Sequence, residues 1–137
     1  MKTKLNIKQI TIAALSAGAV SAALNAAIYF IFKSNGIIND SIFVQPNQPL
    51  TLAPVIISSL LPSLVGGLLF FALEKYSNNG FRIFSAMALV FLIASFAMPY
   101  KMIPDVTNGY AMVMNAMHLV VAFSLLTFIY RKVKSID

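Results

Sequence analysis

The stretch YAMVMNAMHLVVAFSLLTFIY, residues 110–130, carries no charge from end to end and stops at the basic tail of Arg131, Lys132 and Lys134. A helix rises about 1.5 Å per residue, so this run is long enough for the roughly 30 Å hydrocarbon core of a bilayer. Three further uncharged runs precede it, at 10–32, 54–73 and 83–100. They are bounded by Lys8, Lys33, Glu74, Arg82 and Lys101, and every charged residue of the chain falls outside the four spans. What remains of the 137 residues is too little for a soluble domain. The sequence therefore predicts one all-α domain over 1–137, an integral membrane four-helix bundle with antiparallel neighbours.

Charge sets the expected orientation. Lys2, Lys4, Lys8, Lys75, Arg82, Arg131, Lys132 and Lys134 fall on one side of such a bundle, and only Lys33 and Lys101 on the other. By the positive-inside rule both termini of this expected plasma (inner) membrane protein are cytoplasmic. The acids divide as Glu74 and Asp137 inside, Asp40 and Asp105 outside, so the whole net charge of +6 is cytoplasmic. It reads as a topology signal with attraction to anionic lipid, and no nucleic-acid partner is expected. Tyr29, Tyr100 and Tyr110 mark the outer ends of spans and Tyr76 and Tyr130 the inner ends, where amphipathic rings favour the headgroup level. The first uncharged run, 10–32, is longer than a secretory signal core and is expected to stay as a span.

Composition removes most chemistry. Hydrophobic residues make up 59% of the chain and charged ones 10%; there is no Cys, one His and four acidic residues. Thiolate nucleophiles, disulfides and zinc knuckles are excluded, and acid/base and metal sites lack material. The protein is read as not an enzyme and as needing no cofactor. Met98, Met102, Met112, Met114 and Met117 are soft donors, but methionine in an apolar helix is more often a flexible filler.

The connections differ. Ser77, Asn78, Asn79 and Gly80 form a short polar turn that makes spans two and three neighbours. The outer loop 33–53 is longer and apolar, with Ile37, Ile38, Ile42, Phe43 and Val44, and Pro46, Pro49 and Pro54 forbid a continuous helix there. It is expected either to cover the outer mouth of the bundle or to lie in the interface.

Inside the spans, small residues mark close helix approach, because lipid gives apolar helices no incentive to associate. Ala14, Gly18 and Ala22 form such a stripe on span one, and Gly66 and Gly67 serve span two. Further small-residue stripes, Ser58, Pro62 and Gly66 on span two and Ser85, Ala88, Leu92 and Ser95 on span three, read as packing too. Asn25, Ser59, Ser95, Asn115 and His118 fall on the outer side of their spans' midpoints. At the helical rise per residue, each lies within about 8 Å of the bilayer centre. They form a candidate polar layer. His118 is expected to face the interior within reach of Asn25 or Ser95, because an imidazole aimed at hydrocarbon leaves its N–H unpaired. The plainer account of this layer is hydrogen bonding between helices; the other is a polar site open to the outside.

Ser95 to Pro99 closing span three, the short loop that follows, and Met117, His118, Leu119 and Val120 in span four resemble a family of uncharacterised bacterial four-span membrane proteins, a domain of unknown function. The basic N-terminus, Ala-rich first span, longer first loop and basic tail extend the resemblance along most of the chain. Members often carry a proline late in span four, where this sequence has Leu126, Thr127 and Phe128. The resemblance implies no activity and singles out His118.

The leading functional expectation is a small membrane protein acting through helix packing with itself, as a possible homo-oligomer, with a protein partner or with the lipid bilayer. The second is binding or permeation of a small apolar or amphipathic molecule through the polar layer. Because the chain has no Cys, single-cysteine variants at Ser34 and Ser77 report sidedness without background. An impermeant thiol reagent added to whole cells should label Ser34→Cys and leave Ser77→Cys untouched; the reverse pattern refutes the orientation.

Overall fold

The computed structural model describes residues 4–136; Lys2 and Asp137, counted in the charge balance, lie outside the described residues. Helix α1 covers Ile7–Ser34. Its start is fixed by a capping box in which the Asn6 side chain accepts from the Gln9 amide at 2.9 Å and Gln9 Oε1 accepts from the Asn6 amide at 3.0 Å. It ends where Gly36 adopts a φ of +73°, a left-handed conformation that costs glycine nothing. The Ile38 amide then turns back to the Phe32 carbonyl. A two-stranded antiparallel ribbon follows, β1 (Phe43–Gln45) and β2 (Gln48–Pro49). Helix α2 is Leu52–Tyr76, α3 Gly80–Ser95, α4 Met98–Met102 and α5 Asn108–Lys134.

The architecture is all-α apart from that ribbon. Helices α1, α2 and α5 are long and apolar enough to cross a membrane. The stretch 83–100, which the sequence reads as one span, is divided between two helices. Pro99 has no N–H for the Ser95 carbonyl, so α3 stops at Ser95 and the chain restarts at Met98, with Pro99 in the first turn of α4, where a helical N–H is not needed. With 16 residues, α3 is about 24 Å long, short of the roughly 30 Å hydrocarbon thickness.

Small residues bring α1 and α2 together. A Cβ built on Gly67 would lie 2.6 Å from Ala14 Cβ, and one on Gly18 would lie 3.3 Å from Ser63 Cβ. Contacts descend along α1 as they ascend along α2, from Asn25 with Ser59 to Ala14 with Gly67. Two apolar clusters fill the ends of the bundle. One joins Leu5, Ile10, Phe70, Phe84, Leu125 and Ile129. The other lies beneath the long loop, where Ile38, Ile42 and Leu50 pack on Tyr29, Val55 and Tyr110. The loop thus covers the helix ends, and an ion pair of 2.6 Å between Lys33 and Asp40 ties it to α1. The Asp40 carboxylate, accepting from Lys33, raises the lysine's pKa above its ordinary value.

Tyrosine placement is a correction. Tyr76, Tyr100 and Tyr130 are exposed, but Tyr29 and Tyr110 are buried under the loop. An apolar loop of this length offers their rings a packed environment in place of a headgroup layer.

Gly67→Ala and Gly18→Leu should each destabilise the bundle by about 1–3 kcal/mol through overpacking. Gly109→Ala, whose Cβ would stand 3.5 Å from Ile37 Cγ2, should stay within about 0.5 kcal/mol of wild type. Thermal loss of helical circular dichroism in detergent reads all three. A Gly67→Ala protein melting with the wild type contradicts the close approach of α1 and α2.

Candidate functional site

The five polar residues that the sequence places in one layer divide between two places. Asn25, 2% exposed, and fully buried Ser59 meet in the interior. Asn25 Nδ2 donates to Ser59 Oγ at 3.0 Å and to the Met117 carbonyl at 3.2 Å, tying α1 to both α2 and α5. Ser59 Oγ in turn donates to the Val55 carbonyl at 2.9 Å. Buried Ser21 and Ser63 spend their hydroxyl protons on carbonyls of their own helices, Gly18 and Ser59. This node holds helices together and leaves only Asn25 Oδ1 without a partner.

His118 does not join it: Asn25 and Ser95 donate their hydrogen bonds to other groups, and only Ser95 shares a surface with the imidazole. Consecutive residues of a helix point about 100° apart, so with Met117 packed into the core beside Asn25, the next side chain turns toward α3. There His118 lines a groove of about 410 Å³ between α2, α3 and α5, and its Nδ1 is enclosed without a hydrogen-bond partner. Ser95 lines the same groove, but its Oγ donates to the Leu92 carbonyl of its own helix at 2.7 Å. Asn115 does something different: its Nδ2 donates at 3.2 Å to the Phe96 carbonyl, just past the end of α3. It caps the break that Pro99 creates and fastens the loop end of α3 to α5.

The groove recruits residues that the sequence reads as packing. Ser58, Pro62 and Gly66 form its α2 side, and Ala88, Leu92 and Ser95 its α3 side. These are the small-residue stripes at three- and four-residue spacing; the spacing marks a face but is silent on whether a neighbouring helix or a gap lies opposite it. Only Gly80 and Phe84 of α3 are buried, so its termini end packs on α2 and α5 while the rest stands off. Among the described residues no charged side chain lines the groove, and no cluster of three His, Cys, Asp or Glu could hold a metal. Met112 is exposed and Met117 lies in the core, so the methionines do not converge on the histidine.

Residues 6–135, nearly the whole chain, match the model of a family of unknown function (DUF6069). The chain belongs to this family. No curated protein and no solved structure matches it. The chemistry of this DUF6069 member therefore rests on its own geometry, an apolar slot with its polar groups gathered at the loop end.

The two places respond differently to substitution. Asn25→Ala should cost about 1–2 kcal/mol, and a double-mutant cycle with Ser59→Ala should return a coupling of about 0.5–1 kcal/mol. His118→Leu removes a polar atom that has no partner, so its melting temperature should equal or exceed that of wild type. A marked loss of stability in His118→Leu means that the ring is bonded to another helix.

Proposed function

We propose that the protein is an integral membrane bundle of four antiparallel spans with both termini cytoplasmic, in the bacterial inner membrane, and that it binds an apolar or amphipathic molecule in the groove between α2, α3 and α5. The membrane assignment draws on the three long apolar helices and on the placement of the charged residues, among those described, at helix ends or in loops. The orientation draws on the eight-to-two distribution of basic residues. In this reading α3 and α4 together make the third span.

One observation carries the binding function, the groove of about 410 Å³ with His118 in its lining. A protein acting only through packing has no use for a gap that leaves an imidazole nitrogen enclosed and unbonded in hydrocarbon. The groove opens sideways: Val65 and Phe91, both 63% exposed, stand at its edges among residues that would face lipid. A ligand enters from the bilayer side. Binding, not catalysis, is the role, since no second titratable side chain lines the groove to work with His118.

Filling the groove tests this. Ala122 and Ala88 line it from α5 and α3, and phenylalanine at either position should occupy the space without touching the Asn25 node. Native mass spectra of the full chain released from mild detergent should carry an adduct of lipid mass in wild type. Ala122→Phe and Ala88→Phe should fly bare while keeping the wild-type melting temperature. A bare wild type, or adducts indifferent to both fillings, refutes the groove as the site.

A further inference from the structure

We infer that the occupant is an uncharged single-chain lipid with a hydroxyl head, a long-chain alcohol seated with its hydroxyl among Ser58, Ser95 and His118. The inference rests on the groove-binding reading and names the ligand class that the polar end selects. That end is rich in acceptors. Pro62 has no N–H, so the Ser58 carbonyl four residues before it has no helical donor, and Pro99 deprives the Ser95 carbonyl in the same way. The Ser58 and Ser95 hydroxyls have already given their protons to Val55 and Leu92, at 3.1 and 2.7 Å, which leaves only their lone pairs. A neutral imidazole adds one acceptor and one N–H, and its enclosed Nδ1 has no partner. A matching head must donate to oxygen and still accept one proton. A hydroxyl does both and fits either imidazole tautomer.

Charge excludes the alternatives. An ionised carboxylate or phosphate only accepts, and would face carbonyl and hydroxyl oxygens with no Lys or Arg in the lining. An ammonium donates, but no carboxylate lines the groove to balance it. Depth sharpens the exclusion: counted along α2 and α5, Ser58 and His118 lie within about 9 Å of the bilayer centre, against a half-thickness of about 15 Å. A zwitterionic phospholipid head does not descend that far, whereas a small neutral one does once its hydrogen bonds are met. Below the head the groove is apolar along each wall, from Ser58 to Leu69 and from Ser95 to Phe84. At the helical rise per residue that is about 16 Å, the length of roughly a dozen methylenes.

Two photoreactive probes test it on the full chain in mild detergent, dodecanol carrying a diazirine at its far end and the same dodecyl chain without the hydroxyl. Labelled peptides are mapped by mass spectrometry. The alcohol probe should label α2, α3 and α5 along the groove, competed about tenfold better by dodecanol than by dodecane, dodecanoate or dodecylammonium. His118→Leu should cut that advantage below about threefold while the plain chain still labels the groove, and Ala122→Phe should abolish labelling by both probes. Equal labelling by the two probes in wild type, or an alcohol preference indifferent to His118→Leu, overturns the head-group inference and leaves the groove reading intact. Failure of both probes to label the groove overturns the two together.

Discussion

The close approach of α1 and α2 is the constraint from which the rest of the bundle follows. Apolar helices in hydrocarbon gain nothing by burying apolar surface against each other, so association depends on backbone proximity and on the few hydrogen bonds available. Gly67 against Ala14 and Gly18 against Ser63 provide the proximity, and Asn25 provides the hydrogen bonds, reaching Ser59 on α2 and the Met117 carbonyl on α5. Three helices are thereby locked. The fourth element, α3, has neither device along most of its length: it is held by Gly80 and Phe84 at the termini end and by the Asn115 cap beyond Ser95. Pinned at its ends and unpacked between them, it leaves a groove as the consequence of a three-helix core.

Two prolines shape that groove, with different local outcomes. Pro62 sits in the middle of α2, where the helix runs on unbroken on either side, so the only trace is a carbonyl at Ser58 without its donor. Pro99 falls four residues past Ser95, in the first turn of α4, and α3 ends at Ser95. Asn115 then accounts for the Phe96 carbonyl, while Ser95 stays in the groove lining. A carbonyl that loses its helical donor costs more in hydrocarbon than in water unless another group donates to it. Ser58 and Ser95 stand on opposite walls of one groove, beside a histidine nitrogen without a partner, so the polar groups gather in one place.

The extent of the helices is legible in the sequence because charge is nearly forbidden in hydrocarbon. Lys8, Lys33, Glu74, Arg82 and Arg131 lie close to the observed helix ends. The interior is less legible, because depth and azimuth are different coordinates. Rise per residue ranks Asn25, Ser59, Ser95, Asn115 and His118 at similar depth, but it is helical phase that sends Asn25 and Ser59 inward and turns His118 toward α3. Phase is readable only once one contact is known; that contact is the Asn25 bond to Met117, the residue before His118. The stripes Ser58, Pro62, Gly66 and Ala88, Leu92, Ser95 are visible as faces, and nothing in a single sequence states which faces meet. Tyr29 and Tyr110 escape the sequence reading for a related reason: their depth is interfacial, but the loop between Gly36 and Leu50 folds over them.

That loop also bears on how the groove works. It seals the end of the three-helix core through Ile38, Ile42 and Leu50, none of which belongs to the groove, so it covers the core and leaves the groove's long side free. The groove's edges, Val65 on α2 and Phe91 on α3, present apolar side chains outward. For a molecule dissolved in the bilayer, desolvation of its chain is already complete before it enters, and the chain exchanges lipid contacts for protein contacts of similar strength. For the ligand proposed above, the free energy that distinguishes bound from free would come from the polar end, where the unpartnered His118 nitrogen and the acceptor oxygens of Ser58 and Ser95 would gain hydrogen bonds that lipid tails cannot offer. Selectivity in such a site resides in the head and is nearly blind to the chain, the opposite of a water-facing apolar pocket, in which chain burial supplies most of the affinity.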